Sequence, residues 1–223
     1  FRRYYQGRLP VYELPEPEHT AEETVTRLKQ IADEHTQLFG LFRAADDVDP
    51  AGGIAAWLSA HTYPVDDEWL GPIRSMTYMS PKTAIQAWHK WQVKAEFDDR
   101  LRLTEYSLSS LKTTGGETLM LRLIWDIMTS TDNSYTVFIH LLDEQGRVVA
   151  QRDVPLMRDG HPTGSWRQGD RVEIPVGLRV PSQVKPGEYR LIMGVYEPQT
   201  GQRLSMAGKD HLDAGTILVS DRP

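Results

Sequence analysis

Apolar and polar residues alternate most regularly between residues 119 and 153. Every second residue is apolar from 119 to 125 and again from 135 to 141. Because the side chains of a β-strand alternate between its two faces, each apolar row lies on one face, and both rows can face one core. A turn follows at residues 143–146. The pattern predicts three strands: Leu119–Asp126, Tyr135–Leu142 and Arg147–Asp153.

The same rhythm of strands and turns continues through residues 96–223. From Val172 to Val180 apolar residues alternate with Glu173, Pro175, Gly177 and Arg179, which is typical of a half-buried strand at an edge or a bulge. Further strands are predicted over Leu101–Leu108, Arg171–Val180, Glu188–Glu197, Gln202–Ser205 and Thr216–Ser220. About eight antiparallel strands in this length predict a β-sandwich of immunoglobulin-like or jelly-roll type.

Residues 1–80 mix helix and strand signals. Thr20 and Glu23 have the spacing of a capping box, so a helix is expected to begin there. Asp49-Pro50 predicts the start of a second helix, since Asp is a good N-cap and Pro a good first helical residue. Three strands are predicted around these helices: Val11–Leu14, Leu38–Phe42 and Ile73–Met79. This order predicts a small parallel βαβαβ unit, half of a Rossmann-like fold, with right-handed crossovers.

The predicted fold class is therefore α+β, with an α/β domain over 1–80, a connector over 81–95 and a β-sandwich over 96–223. Trp88 and Trp91 lie three residues apart in the connector and could share one face of a helix. We expect these indoles to hold the two domains together. The alternative is an exposed aromatic surface that stacks on a sugar.

Composition and charge narrow the function classes. The chain has 223 residues, 39% of them hydrophobic, and a formal net charge of −6. The mixed charges lack the basic stripe of a nucleic-acid surface, so no nucleic-acid partner is expected. There is no cysteine, which excludes disulfides, thiolate nucleophiles and cysteine metal sites. The aromatic and basic start, Phe1–Tyr5, is typical of a segment that follows a membrane span, or of an arbitrary cut.

Candidate metal ligands are few. Asp47 and Asp49 belong to an Asp-x-Asp arrangement, and paired carboxylates suit hard divalent cations. However, Asp49 is already explained as an N-cap before Pro50. The histidines have no metal-ligand spacing, and His140 is expected to be a structural residue of its strand. We expect no cofactor, and no residue is assigned a catalytic role.

The longest connection in the predicted sandwich, residues 155–169, is a candidate ligand site. Long ordered loops often carry function. Trp166 could stack on a sugar ring, with Asp153, His161 and Arg167 beside it as hydrogen-bonding groups. Alternatively, Trp166 closes one end of the sandwich. Three more aromatic residues are candidates for stacking on sugar: Trp125, Tyr196 and Trp88.

A series of short motifs resembles a known family. The N-terminal part contributes two of these motifs, Asp49-Pro50 and Ile54-x-x-Trp57-Leu58. In chain order the C-terminal motifs are Phe138-x-His140-Leu141-x-Asp143, Ala150-Gln151-x-Asp153-x-Pro155, Pro162-Thr163 followed by Trp166-x-x-Gly169-Asp170, Pro186-Gly187-Glu188-Tyr189, Gly194-Val195-Tyr196 and Thr200-Gly201-x-Arg203-Leu204. The series resembles the C-terminal soluble region of bacterial membrane glycosyltransferases that use polyprenyl-phosphate sugar donors, which are relatives of the protein O-mannosyltransferases.

The resemblance implies an extracytoplasmic domain of a longer membrane protein, attached to the membrane-spanning part of the same polypeptide. In that family the catalytic carboxylates lie between early membrane spans, so none carries over to this chain. A non-catalytic accessory domain is the expected function, either structural or binding a carbohydrate acceptor. Two alternatives stay open: a stand-alone carbohydrate-binding β-sandwich, and a soluble metal-dependent enzyme that uses Asp46–Asp49.

Overall fold

The computed structural model describes residues 5–43, 52–83, 88–158 and 160–221. Within these ranges the chain forms a small unit of helices and strands followed by a β-sandwich. No helix in the described ranges is both long and apolar enough to span a bilayer.

The first helix, α1 (Ala21–Glu34), begins at the predicted capping box. The Thr20 hydroxyl accepts a hydrogen bond from the Glu23 amide, and the Glu23 carboxylate accepts one from the Thr20 amide. These bonds satisfy two backbone donors that the first turn would otherwise leave unpaired. Helix α1 buries Leu28 and Ile31, and a second helix, α2 (Gly53–His61), buries Leu58.

The sheet of the small unit is antiparallel, so the predicted parallel βαβαβ unit is wrong. Its strands are β1 (Gln37–Arg43), β2 (Tyr63–Leu70) and β3 (Ile73–Met79), in the order β1-β3-β2 with both pairings antiparallel. Residues 11–14 form no strand. Strand β2 was missed because Pro64 and three acids make it look like a loop. Gly71, with a φ of +61°, lies in the two-residue turn to β3, and such a short connection forces a hairpin.

The sandwich consists of two main sheets. The four-stranded sheet has the order β12-β7-β5-β4, and the five-stranded sheet has the order β6-β14-β13-β8-β9. All neighbours are antiparallel except β6 and β14, which are parallel. The strands are β4 (His89–Phe97), β5 (Leu101–Leu108), β6 (Lys112–Thr114), β7 (Thr118–Ile127), β8 (Thr136–Leu142), β9 (Val148–Pro155), β10 (Met157–Arg158), β11 (His161–Pro162), β12 (Arg171–Arg179), β13 (Gly187–Tyr196) and β14 (Leu212–Ser220). Strands β10 and β11 form a separate two-residue hairpin.

The predicted apolar rows are confirmed as the inner faces of the two sheets. The rows from Leu119 to Trp125 and from Tyr135 to Leu141 are buried in one continuous core. The row from Val172 to Val180 joins them from β12. Packing the two inner faces against each other removes these apolar rows from water.

Two local predictions in the sandwich region are wrong. Strand β4 begins inside the segment that was expected to be a connector. Its residues 91, 93, 95 and 97 alternate with polar ones, but the spacing of Trp88 and Trp91 suggested a helix instead. Residues 202–205 form no strand, and only Arg203 makes an isolated bridge, to Tyr196.

The small unit packs through β2 against the outer face of β12. Val65 lies directly over Gly177, where an added Cβ would come within 2.7 Å of Val65 Cγ2. Arg122 Nε donates to Tyr63 Oη at 2.6 Å, and Arg179 Nε donates to Asp66 Oδ2 at 3.0 Å. These contacts leave the outer face of the five-stranded sheet uncovered by the small unit.

Candidate functional site

Two of the residues predicted to bind sugar are core residues. Trp166 is 2% exposed and Trp125 is 1% exposed, and both belong to the sandwich core. The Trp166 Nε1 donates to the carbonyl oxygen of His161 at 3.1 Å, which fixes the loop across the end of the sandwich. Neither indole therefore offers a free ring face for stacking, and Trp166 closes the sandwich as the alternative interpretation expected.

The other two loop candidates are exposed and lie apart from Asp153. Both His161 and Arg167 are exposed to solvent. The backbone amide of Arg167 donates to Asp170 Oδ2 at 3.0 Å, so this residue belongs to the turn before β12. Within the described residues, neither side chain contacts Asp153.

Trp88 lies where the small unit meets the sandwich. The guanidinium of Arg122 lies 4.9 Å from the centroid of the Trp88 ring. The Tyr63 ring stacks on the Trp88 ring, with the two ring centroids 5.7 Å apart. These contacts join β7 to β2 through the indole. They confirm for Trp88 the expectation that it holds the two parts of the chain together. Trp91 does not share this role, because it stacks on Tyr106 within the sandwich, with the ring centroids 4.9 Å apart.

Asp153 and Tyr196 are brought together on the outer face of the five-stranded sheet. Strands β9, β8 and β13 are neighbours in that sheet, and Tyr196 Oη donates to Asp153 Oδ2 at 2.9 Å. His140 Nε2 lies 3.9 Å from Asp153 Oδ1. Tyr196 of β13 and His140 of β8 thus both approach the carboxylate of Asp153 on β9.

The connection between β13 and β14 adds charged groups to the same face. Arg203 lies over the Phe138 ring, with its guanidinium carbon 4.3 Å from the ring centroid. Arg203 Nη1 donates to Asp210 Oδ2 at 2.6 Å, and His211 Nδ1 lies 2.6 Å from Asp210 Oδ1. We refer to these seven residues together as the outer-face cluster: Phe138, His140, Asp153, Tyr196, Arg203, Asp210 and His211.

Gly194 allows the two parts of the cluster to approach each other. It pairs with Phe138 across β13 and β8. A Cβ at this position would overlap the Phe138 ring and would also lie 2.6 Å from the carbonyl oxygen of Asp210. Only glycine therefore leaves room for the ring and the connection to cross β13 at the same point.

The environment fixes the charge states within the cluster. Hydrogen bonds from His211 and Arg203 lower the pKa of Asp210 to about 2, so this carboxylate is ionised near neutral pH. Burial lowers the pKa of His140, with Arg203 acting in the same direction and Asp153 opposing it, so its imidazole is neutral there. Burial and the bond to Asp153 raise the pKa of Tyr196, which keeps the phenol protonated.

Most of the cluster was not predicted from the sequence as a site. His140 was interpreted as a structural residue, and Arg203, Asp210 and His211 were not singled out as ligand-binding residues. A signal was present in the motifs, because four of the six C-terminal motifs contribute to the cluster: those containing Phe138 and His140, Asp153, Tyr196 and Arg203. The motifs are far apart in the sequence, and only the pairing of β8, β9 and β13 brings them together.

The described residues contain no group of three or more His, Asp or Glu side chains placed to hold a metal ion. The Asp47 and Asp49 candidates lie outside the described residues, so the structure does not bear on them.

A concavity of about 530 Å³ lies between the small unit and the turns of the sandwich. Its lining includes Gln37, Met79, Lys112 and Arg179. Arg179 is already paired with Asp66, and Glu117 accepts bonds from its own turn.

Comparisons with known proteins give no family. No protein-family model matches the chain, and no curated protein does. Among solved structures, the C-terminal domain of wzt is similar over 61% of this chain and 80% of its own, at 13% identity and a TM-score of 0.42. A beta-glucuronidase from glycoside hydrolase family 2 is similar over 56% of this chain, at 10% identity and a TM-score of 0.29. This chain spans only 12% of that enzyme.

A Niemann-Pick type C2 protein from the Japanese carpenter ant is similar over 61% of this chain and 100% of its own, at 6% identity and a TM-score of 0.32. Scores this low carry no information about function. The class that the fold and site define is a β-sandwich with a polar and aromatic cluster on an exposed sheet face.

Proposed function

We propose that the chain is a carbohydrate-binding β-sandwich whose glycan lies across the outer-face cluster. The observation that carries the proposal is the convergence of complementary hydrogen-bonding groups on one exposed face. Asp153 and Asp210 offer acceptor oxygens, and Arg203 offers the N–H groups that its bond to Asp210 leaves free. The Tyr196 hydroxyl donates its one hydrogen to Asp153, so towards a ligand it acts as an acceptor. Neighbouring sugar hydroxyls both donate and accept, so they match a surface on which donors and acceptors alternate within hydrogen-bonding distance.

The cluster is preorganised for binding. Asp153 is held by Tyr196, and Asp210 is held by Arg203 and His211. Arg203 is held in addition by the Phe138 ring beneath it. Side chains that are already fixed lose little conformational entropy when a ligand arrives, so more of the contact energy appears as affinity.

The charge states of Asp210 and His140 do not suit a general acid. A glycosidase needs one carboxyl group whose pKa is raised, so that it can protonate the leaving oxygen. The pKa of Asp210 is instead lowered to about 2, and burial lowers the pKa of His140. Neither group is protonated near neutral pH, so neither can serve as the general acid there.

A glycan array probed with the folded chain, followed by affinity measurements on the glycan that binds, tests the proposal. Asp153→Asn keeps the side-chain volume but removes the charge, and we expect binding at least about ten-fold weaker, the loss typical of a hydrogen bond to a charged group. The matched control is Asp213→Asn, because Asp213 is an exposed acid of β14 in the same sheet but outside the cluster. No binding across the array, or equal losses in both variants, would contradict the proposal.

We further propose that the chain is a non-catalytic accessory domain of a polyprenyl-phosphate-dependent membrane glycosyltransferase, exposed on the extracytoplasmic face of a bacterial membrane. The support is that motifs resembling that family supply Phe138, His140, Asp153, Tyr196 and Arg203 to the cluster. The glycan would then be the acceptor, presented to the membrane-spanning part of the same polypeptide. A stand-alone carbohydrate-binding module is the alternative.

The cellular location distinguishes these two settings. An antibody raised against this chain should detect its antigen in the membrane fraction, and protease added to intact spheroplasts should remove the signal. Detection only in a soluble fraction would overturn the membrane setting while leaving the carbohydrate proposal in place.

A further inference from the structure

Among the described residues, β1 is an edge strand with an exposed apolar face. It is the outer strand in the order β1-β3-β2, and its only strand partner among the described residues is β3. On the face away from the helices, Phe39 is 58% exposed and Leu41 is 48% exposed. An edge strand presents unpaired backbone groups that can pair with another strand.

The other outer strands of the described sheets are protected against such pairing. Strand β12 contains Pro175, which has no backbone N–H to donate, and β6 has only three residues. The register is interrupted in β2, β4 and β9. The charged residues on these three strands include Asp66, Asp67 and Glu68 on β2, Lys90 and Lys94 on β4, and Arg152 and Asp153 on β9. Interrupted pairing and charge are common ways to block association at an edge, and β1 has neither in its centre.

The sequence of β1 is complementary to itself in the antiparallel direction. Around Gly40 the order Leu-Phe-Gly-Leu-Phe is apolar on both sides, with Gln37 at one end and Arg43 at the other. If residue 40 of one copy faces residue 40 of another, Phe39 faces Leu41, Leu38 faces Phe42, and Gln37 faces Arg43. No like charges then meet across the strands.

We propose that β1 pairs with β1 of a second copy of this chain, about a two-fold axis at Gly40, to form a continuous six-stranded antiparallel sheet. The same patch on both copies then forms the interface, as a two-fold axis requires. The pairing places Phe39 of each copy beside Leu41 of the other on the open face of the small sheet, so each side chain gains a cross-strand apolar contact. It leaves the outer-face cluster free, because that cluster lies on the sandwich.

Single cysteines test the register directly, because the chain has no cysteine of its own. Phe39→Cys and Leu41→Cys proteins, carrying tags of different mass, are mixed and oxidised under mild conditions. We expect the mixed disulfide to exceed both homodisulfides, since position 39 faces position 41 of the other copy. Homodisulfides in equal or greater amounts, or no disulfide at all, would overturn the proposed pairing.

Sedimentation velocity on the unmodified chain tests whether two copies associate. We expect a concentration-dependent dimer that is lost in Leu41→Lys. The matched control, Val148→Lys, changes an exposed apolar residue on the edge strand β9 and should keep the dimer. Circular dichroism confirms that both variants are folded. A monomer at every concentration, or loss of the dimer in both variants, contradicts the proposal. If the chain is monomeric, the partner of β1 would instead be a strand from a different protein.

Discussion

Trp166 shows how the environment of one residue decides between two interpretations of the sequence. A Trp in a long loop is a candidate sugar-binding residue. Its indole instead fills the end of the core, and its Nε1 donates to the carbonyl of His161. Large aromatic side chains contribute strongly to core stability when their polar atom finds a partner. We therefore assign Trp166 a structural role in the core of the sandwich.

Replacing Trp166 with Ala should destabilise the fold strongly. Phe or Trp to Ala changes in a core cost about 3–5 kcal/mol, because the cavity only partly collapses. Urea unfolding of Trp166→Ala should show a loss of that size. Trp69→Ala is the control, since Trp69 is exposed, and it should change the free energy of unfolding by less than about 0.5 kcal/mol. Equal losses in the two variants would contradict the assignment.

Asp210 should make stability depend on acid pH. Its folded pKa is about 2, below the ordinary value of 3.8, so the ionised form stabilises the fold fully above pH 3.8. This contribution is lost as the pH falls from 3.8 through about 2. Asp210→Asn should therefore lower the free energy of unfolding above pH 3.8, and the difference from the unmodified protein should disappear only below about pH 2. The difference should stay below about 1 kcal/mol because the side chain is half-exposed and screened.

Thermal unfolding of both proteins across this pH range measures the effect. A difference that does not change with pH would mean that Asp210 acts through packing rather than through its charge.

At the scale of secondary structure, strands with regular alternation were predictable unless another pattern in the same residues indicated a different structure. The start of α1 followed from the spacing of Thr20 and Glu23 alone. Strand β4 alternates just as regularly over residues 91–97, but two Trp residues at helical spacing suggested a helix. Strand β2 carries Pro64 and three acids, which its place at the edge of the sheet and the exposure of residues 66–70 allow. Local propensity suggested a loop there, and tertiary pairing overrode it.

The contact of β2 with β12 predicts the effect of an added methyl group. Gly177→Ala places its Cβ within 2.7 Å of Val65 Cγ2 and 3.3 Å of the Pro64 carbonyl oxygen. Overpacking of this kind typically costs about 1–3 kcal/mol. Urea unfolding should show that loss, whereas Glu173→Ala, at an exposed position on the same face of β12, should show little. If Gly177→Ala leaves the free energy of unfolding unchanged, β2 can move away from β12 without a loss of stability.

At the scale of the whole molecule, the β-sandwich could be predicted because its core is encoded in the alternation of each strand. The outer-face cluster could not, because its residues come from three strands and a connection that are distant in sequence. Their meeting depends on register, for example Phe138 opposite both Asp153 and Gly194. Asp153 and Tyr196 were both predicted as ligand-binding residues, but nothing local in the sequence indicated that they touch.

Histidine ring-proton NMR during titration with the glycan selected on the array tests the carbohydrate site most directly. The chain has seven histidines, and the outer-face cluster contains His140 and His211. We predict that the signals of these two shift with added glycan, while those of His61, His89 and His161 stay in place. Shifts at His161 without shifts at His140 and His211 would place the ligand on the loop before β12 and contradict the proposed site.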